Sequence, residues 1–332
     1  MSFKKIWERI VDSKYFSFGV TIVLFGILYA IGILNFKGFS KSQVFFNLFI
    51  DNAALIIATV GITFVLLIGG IDISIGSVVA LTCMVSAQLM ENTKLDAGIV
   101  TILVLIMGLA FGFIQGFLIT KFNMQPFIVT LAGQFFARGL TCVISTDTIN
   151  ITNETYNAIA SARIYLLPKG FISAGVLIAI LTLIISTIVL RYTKFGRNIY
   201  ALGGNEQSAL LMGLPTGKTK IAAYTVCGFC SSLAGVVYSL IMLSGYPLHA
   251  VGMEMDAISS SVIGGTLLSG GVAFLPGTLF GVLIQGVIQT FITFNGRLSA
   301  WWTRIVIASL LCLFIVMQSL ITKNRKRINS NN

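Results

Sequence analysis

Ten apolar runs occupy almost the whole chain, and most of them are long enough to cross a lipid bilayer. They fall at 16–36, 52–69, 75–90, 98–120, 126–145, 171–190, 221–244, 253–268, 272–294 and 301–321. A membrane helix needs about 20 mostly apolar residues. The pattern therefore predicts an all-α polytopic membrane protein with about ten transmembrane helices. The runs at 75–90 and 253–268 are short, which fits spans that are tilted, broken or re-entrant. The run at 126–145 is the least apolar and contains Arg138. The polar remainder is too small for a soluble domain. Charged residues make up 10% of the chain and hydrophobic residues 56%, against about 25% charged in soluble domains. These numbers speak against a water-soluble enzyme, a nucleic-acid-binding protein and a disordered chain. Any ATP hydrolysis falls to another chain.

Lys4, Lys5, Arg9 and Lys14 precede the first run, as in a signal peptide. That run exceeds the about 7–15 residues of a signal h-region, and no small-residue cleavage site follows. It reads as a retained first helix. With the N-terminus inside and ten crossings, fourteen Lys and Arg fall on inside segments and seven on outside segments. Positive charge marks the cytoplasmic side, so both termini are expected in the cytoplasm of a bacterial inner-membrane protein. The net charge of +11 is then a topology signal plus attraction to anionic headgroups, not a nucleic-acid footprint.

Two connections break the loop pattern. Residues 69–76 read Gly-Gly-Ile-Asp-Ile-Ser-Ile-Gly, and 264–271 read Gly-Gly-Thr-Leu-Leu-Ser-Gly-Gly. Neither carries Lys or Arg. Gly69, Gly70 and Gly76 have counterparts in Gly264, Gly265 and Gly271 at an offset of 195. Irregular backbone at membrane depth is tolerated where protein or a wet cavity satisfies it. Paired glycine breaks in two halves point to a transport pathway between internal repeats. A second echo relates Gly108, Gly112 and Gly116 to Gly277, Gly281 and Gly286, spacings that let membrane helices pack closely. The whole chain is read as one permease domain, 1–332. It has weak repeat halves at about 43–145 and 221–321, a cytoplasmic loop at 191–220 and an external loop at 146–170.

Several motifs carry less than they suggest. The stretch from Gly213 to Thr219 is one residue short of a P-loop, contains Pro215 and has no preceding strand. Cys227 and Cys230 have CxxC spacing inside an apolar helical run, where packing is the expected role. His249 is the single histidine, so no metal cluster and no catalytic set is assigned. The basic loop is more informative. Asn205 is placed to cap a short helix over Glu206–Met212 that Gly213 ends. Gly203, Gly204, Asn205, Glu206, Met212 and Gly213 form the candidate peg for another subunit. A helix lying on the lipid headgroups is the alternative. The long external loop is a candidate contact for a delivery protein or a lid.

Ionisable residues within membrane segments are functional candidates by default. Asp72, Arg138 and Asp256 are read as such, and amides and hydroxyls dominate the rest. Asp72, Gln115, Thr130, Gln134, Arg138, Asp256, Gln285 and Gln289 are the candidate substrate pathway. Asp72 is also placed to cap the helix from Ser74, and Arg138 and Asp256 could pair. Neutral hydrogen-bonding groups suit an uncharged polyhydroxylated solute, and they also serve as interhelical glue.

Three segments resemble the membrane subunits of ribose-type bacterial sugar ABC importers. They are 52–81 with its Gly69–Ser77 core, the loop pattern from Phe195 through Asn205 to Gly213, and 256–286. Residues 264–286, followed by Leu298, Trp301, Trp302 and Thr303, are most similar to a permease of the galactofuranose importer. Ile73 and Ala300 depart from the relatives' leucine and serine. The resemblance implies a second permease, identical or paralogous, and a cytoplasmic ABC ATPase docked around 203–213. It also implies an extracytoplasmic sugar-binding protein. No cofactor is expected on this chain, with ATP and Mg on the ATPase. The expected function is alternating-access import of a monosaccharide, galactofuranose or ribose-like. A stand-alone secondary carrier is the alternative. An intramembrane enzyme has no HExxH motif and no Ser/His or paired-aspartate set to support it.

Overall fold

The computed structural model describes residues 16–167, 170–296, 299 and 301–330. Expectations resting on Lys4, Lys5, Arg9, Lys14, Lys169, Arg297, Leu298 and Ala300 lie outside them, as do the side chains of Lys323, Arg325, Lys326 and Arg327. The described residues form an α-helical bundle with four short strands in two pairs.

Helix α1 spans Phe16–Asn35. Helices α2 (Ser42–Asp51) and α3 (Ala53–Leu67) form one apolar path bent by 49°. The bend falls at Asn52, whose Nδ2 donates back to the Leu48 carbonyl at 2.9 Å. The expected span at 52–69 is thus the inner part of a longer, bent segment. Every residue of α3 is buried. A helix apolar on all sides belongs in a core, and α3 is surrounded by later helices. Helices α4 (Ile75–Asn92), α5 (Ala97–Lys121) and α6 (Pro126–Ile144) follow. Asp96 caps α5 by accepting from Gly98 N at 2.8 Å. Pro126 opens α6, where its missing N–H costs nothing.

The external loop is structured. Strand β1 (Ile149–Asn150) leads to helix α7 (Glu154–Ser161), capped by Asn153. Strands β2 (Arg163–Leu167) and β3 (Gly170–Ser173) form a hairpin. Residues 171–173, expected at the start of a span, are strand, and helix α8 begins at Ala174 and ends at Tyr192. Two helices, α9 (Lys194–Gly204) and α10 (Glu206–Leu211), fill the basic loop. Helix α11 (Thr216–Met242) takes in the P-loop-like residues Gly217 and Lys218 as ordinary helix. Strand β4 (Ser244–Gly245) pairs with β1. Helices α12 (Met253–Ile263), α13 (Leu275–Asn295) and α14 (Trp301–Ser330) complete the chain. The expected spans at 253–268 and 272–294 are shortened, because residues 264–274 leave the helix.

Among the described residues, six helices are long and apolar enough to cross a membrane by length and composition, or up to seven if the bent α2–α3 pair is one span. Ile102, Ile106, Leu181 and Ile184 are more than half or about half exposed on the outward faces of α5 and α8. Such apolar faces suit lipid, and the chain is a multi-pass membrane protein.

Helix α11 organises the interior, packing on α3, α4 and α5. The α5–α11 contact is made backbone to backbone. A Cβ added to Gly108 would lie 2.6 Å from the Gly228 carbonyl oxygen, and one on Gly228 would lie 2.8 Å from Gly112 Cα. The four-residue glycine spacing on α5 therefore works as the close-packing face it predicts. Cys227 and Cys230 are free and buried in the same core.

Candidate functional site

Both glycine-rich connections leave the helix, and they meet. After α3 the chain turns at Gly69, with φ of +75°. Gly69 N donates to Leu66 O and Gly70 N to Val65 O. After α12, Gly265, Gly270 and Gly271 all have positive φ, which favours glycine. Gly271 N donates to the Leu67 carbonyl at 2.9 Å, joining the two breaks through backbone.

The C-terminal turn of α9 sits on that hydrogen bond. A Cβ on Gly203 would run into the Leu67 carbonyl oxygen and lie 2.5 Å from Gly271 N. A Cβ on Gly270 would lie 2.9 Å from Gly69 N and 3.1 Å from Gly203 O. Three segments distant in sequence thus share one backbone junction. Gly204, the next residue, has open space beside it.

Helix α10 follows at once. Asn205 Oδ1 accepts from Ser208 N at 2.8 Å, the cap that the sequence predicts. Met212 is the capping residue at the other end, and Gly213 turns with φ of +76°. Ala209 faces inward, while Leu210, Leu211 and Met212 are exposed, Leu211 by 88%. Glu206 is exposed and pairs with Lys220 at 2.5 Å. Helix α9 is absent from the sequence expectation. It is capped by Thr193 Oγ1 and buries Gly196, Ile199 and Leu202.

The eight candidate pathway residues fall in three places. The first lies between the junction and α4. Asp72, 1% exposed, accepts from Ser74 N at 2.9 Å and from Ser74 Oγ at 2.6 Å. Gln115 Nε2 donates to Ser74 Oγ at 3.1 Å, and Thr130 Oγ1, which lies 3.0 Å from Pro126 O of its own helix, is also 3.3 Å from Ile71 O. Asp72 therefore braces the extended stretch before α4 from within, while Gln115 of α5 and Thr130 of α6 stand against it. Tyr224 of α11 brings its hydroxyl against Gly70. Asp72→Ala leaves Ser74 without this acceptor in a buried site, at a cost of about 1–3 kcal/mol. Thermal unfolding in detergent should show the loss, with a smaller one for Asp72→Asn, which keeps an acceptor. Equal losses would contradict this role.

The second place involves α6, α12 and the turn before α12. Arg138 Nη1 donates to the carbonyls of Pro247 at 2.5 Å and His249 at 2.8 Å. Its charged neighbour is Glu254, and no pairing with Asp256 occurs among the described residues. Gln134 Nε2 lies 3.4 Å from Glu254 Oε1. Glu254 is 7% exposed and has one carboxylate oxygen without a partner among the described residues. It abuts Gly76, which lies inside the first turn of α4 and makes room for it. Sequence reasoning passed over Glu254 because it stands at the edge of an expected span. Its signal was proximity to Asp256, two residues on. Burial holds the His249 imidazole below its usual pKa, and the Arg138 charge acts in the same direction.

The third place is a cavity of about 470 Å³ at the opposite end of the bundle from α9 and α10. Asp256, Gln285 and Gln289 line it, together with Asn52 and Arg304. Gln285 Nε2 donates to the Asp256 carbonyl at 3.0 Å. Of the expected break glycines, Gly264 packs against Gly277 at the head of α13.

Residues 44–316 match the family described as branched-chain amino acid transport system / permease component. The chain is 44% identical over 299 residues to the inner membrane ABC transporter permease protein YjfF of Escherichia coli, covering 90% of each chain. It is 37% identical over 303 residues to the fructose import permease protein FruG of Bifidobacterium longum, covering 90% of this chain and 88% of that one. It is 34% identical over 274 residues to the ribose import permease protein RbsC of Escherichia coli, covering 82% of this chain and 85% of that one. No solved structure matches the chain. On the family match and these identities, the chain belongs to the permease-component family that includes the ribose-type sugar ABC permeases.

Proposed function

We propose that this chain is the permease subunit of an ATP-driven importer that carries a monosaccharide across the bacterial cytoplasmic membrane by alternating access. The observation that carries the reading is the junction at Gly203. One turn of a cytoplasmic helix rests on both glycine breaks, so a push on α9 and α10 is felt by both halves of the bundle. Closely packed junctions of this kind pass small local shifts on to the elements they join.

In this reading the chain crosses the membrane ten times with both ends in the cytoplasm. The shorter helices α4, α12 and the apolar part of α14 add to the long ones. It is one permease domain with repeat halves at about 43–145 and 221–321. A second permease, identical or paralogous, completes the pathway, and an extracytoplasmic sugar-binding protein delivers the sugar. ATP and Mg act on a partner ATPase, and this chain holds no cofactor of its own. Asp72, Gln115, Thr130, Gln134, Arg138, Asp256, Gln285 and Gln289 serve the pathway. The names of the relatives support a pentose or hexose, and galactofuranose or a ribose-like sugar is the preferred candidate.

The ATPase docks on α10. The exposed Leu210, Leu211 and Met212 supply an apolar contact, which suits the centre of a protein interface. Leu211→Asp is expected to abolish co-purification of the ATPase with the permease while membrane insertion is retained. The Glu206–Lys220 pair is exposed, and such pairs contribute about 0–1 kcal/mol. Undiminished ATPase capture by Leu211→Asp would remove the docking role from α10. Sugar uptake by this chain alone in ATP-free liposomes would overturn the ATP-driven reading.

A further inference from the structure

We propose that the cavity bounded by the α2–α3 bend, α12, α13 and α14 is a binding site for one neutral, polyhydroxylated sugar within each permease protomer. The inference rests on the sugar-import reading and adds to it a place and a set of contacts. The cavity is about 470 Å³, within the about 300–1,000 Å³ typical of small-molecule sites.

Its polar groups come from four elements. Asn52 stands at the bend, Asp256 in the first turn of α12, Gln285 and Gln289 one turn apart on α13, and Arg304 on α14. Gln285 is committed to the Asp256 backbone. Among the described residues the Asp256 carboxylate makes no hydrogen bond or ion pair. Arg304 donates to Val251 O at 3.2 Å and lies 5.3 Å from the Trp301 ring centroid. A guanidinium has five donors, so the other donors remain available. An acid and a base thus line one cavity without forming a direct ion pair among the described residues.

That arrangement suits a sugar better than an ion. Asp256 and Arg304 carry opposite formal charges, so this pair adds no net charge that would favour a lone cation or a lone anion. A carboxylate accepts from neighbouring hydroxyls, a guanidinium donates to sugar oxygens, and the Asn52 and Gln289 amides do both. Leu55 and Ile307 add apolar wall for the C–H faces of a ring. Placement agrees as well. The cavity lies at the C-terminal end of α13 and the N-terminal end of α12. The strand preceding α12 pairs with the external loop. A sugar released on that side meets this cavity early in its passage.

The test uses the full transporter in proteoliposomes, with its ATPase and binding protein. The probes are radiolabelled D-ribose, D-fructose, L-arabinose and D-galactose, the last supplying galactofuranose through its ring equilibrium in water. The quantity read is sugar moved per ATP hydrolysed. Asp256→Asn and Gln289→Leu are each expected to lower that ratio about tenfold or more, with Asp256→Glu recovering part of it. A merely structural lesion lowers uptake and hydrolysis together and leaves the ratio in place. That result, or a ratio equal to wild type, would overturn the cavity as the site while leaving the import reading intact. Failure of the wild-type transporter to move any of the four sugars would instead strike the sugar reading, and the inference would fall with it.

Discussion

Gly203→Val is expected to insert into the membrane and yet lose sugar uptake. A side chain at this position has nowhere to go. Its Cβ would collide with the Leu67 carbonyl oxygen and come within 2.5 Å of Gly271 N, and both neighbours are backbone. Backbone cannot swing aside as a side-chain tip can. Either α9 lifts off the junction or the Gly271 N to Leu67 O hydrogen bond opens. Overpacking of this kind costs about 1–3 kcal/mol, which corresponds to about 5–150-fold in a two-state balance. Transport by alternating access depends on that balance, so the loss should fall on uptake more than on insertion. Gly204→Val is the paired measurement, because a Cβ there meets open space. Uptake assays on both variants should separate them by at least about tenfold. Equal losses would mean that the junction has no special place in coupling.

Gly112→Val should unfold the bundle rather than uncouple it. Helices α5 and α11 approach so closely at Gly112 that a Cβ would meet the Tyr224 carbonyl oxygen and lie 3.0 Å from Thr225 Cα. Gly228 returns the contact from the α11 side, and Gly116 extends it to Ile221. In lipid, such small-residue seams let dispersion and close backbone contact hold helices together. Separating the helices to fit a valine also loosens α11 from α3 and α4, since one helix serves all three contacts. The expected loss is at the upper end of the about 1–3 kcal/mol for overpacking. It should be read as a lower midpoint of thermal unfolding in detergent and as less protein in the membrane. Gly139→Val, on α6 with nothing within 4 Å of an added Cβ, is the comparison. Equal midpoints would contradict the seam.

Local chemistry was legible in the sequence, and long-range pairing was not. Asn205 and Gly213 announce the start and stop of α10, because capping depends on neighbours within a turn. The glycines of α5 announce a close-packing face by spacing alone. Both glycine-rich breaks were visible as runs without charge. What neither break could reveal was that Leu67 and Gly271 would bond to each other, or that Gly203 would rest on both. Helix α9 was missed because it is short, polar outside and contains three glycines, so no apolar run marks it. The β1–β4 pairing joins residues about a hundred positions apart through only two residues each, which leaves no periodic signal. Candidate site residues were chosen by polarity in apolar surroundings. That criterion finds buried polar groups but does not say which share a place, and here they occupy three. Glu254 escaped it by standing at the boundary of an apolar run.

The central claim is that motion imposed on α9 and α10 passes through the backbone junction to both breaks. It is tested most directly at Ser269, an exposed residue of the second break whose carbonyl oxygen lies 3.6 Å from a Cβ placed on Gly69. The exposed cysteines Cys142 and Cys312 are first replaced by serine, and Ser269→Cys is introduced. The rate of thiol labelling in the assembled transporter is then measured with and without ATP. The account predicts a labelling rate that changes on adding ATP, and a change that disappears when Gly203→Ala is added. An ATP-dependent change that survives Gly203→Ala, or no change in the parent protein, would contradict it.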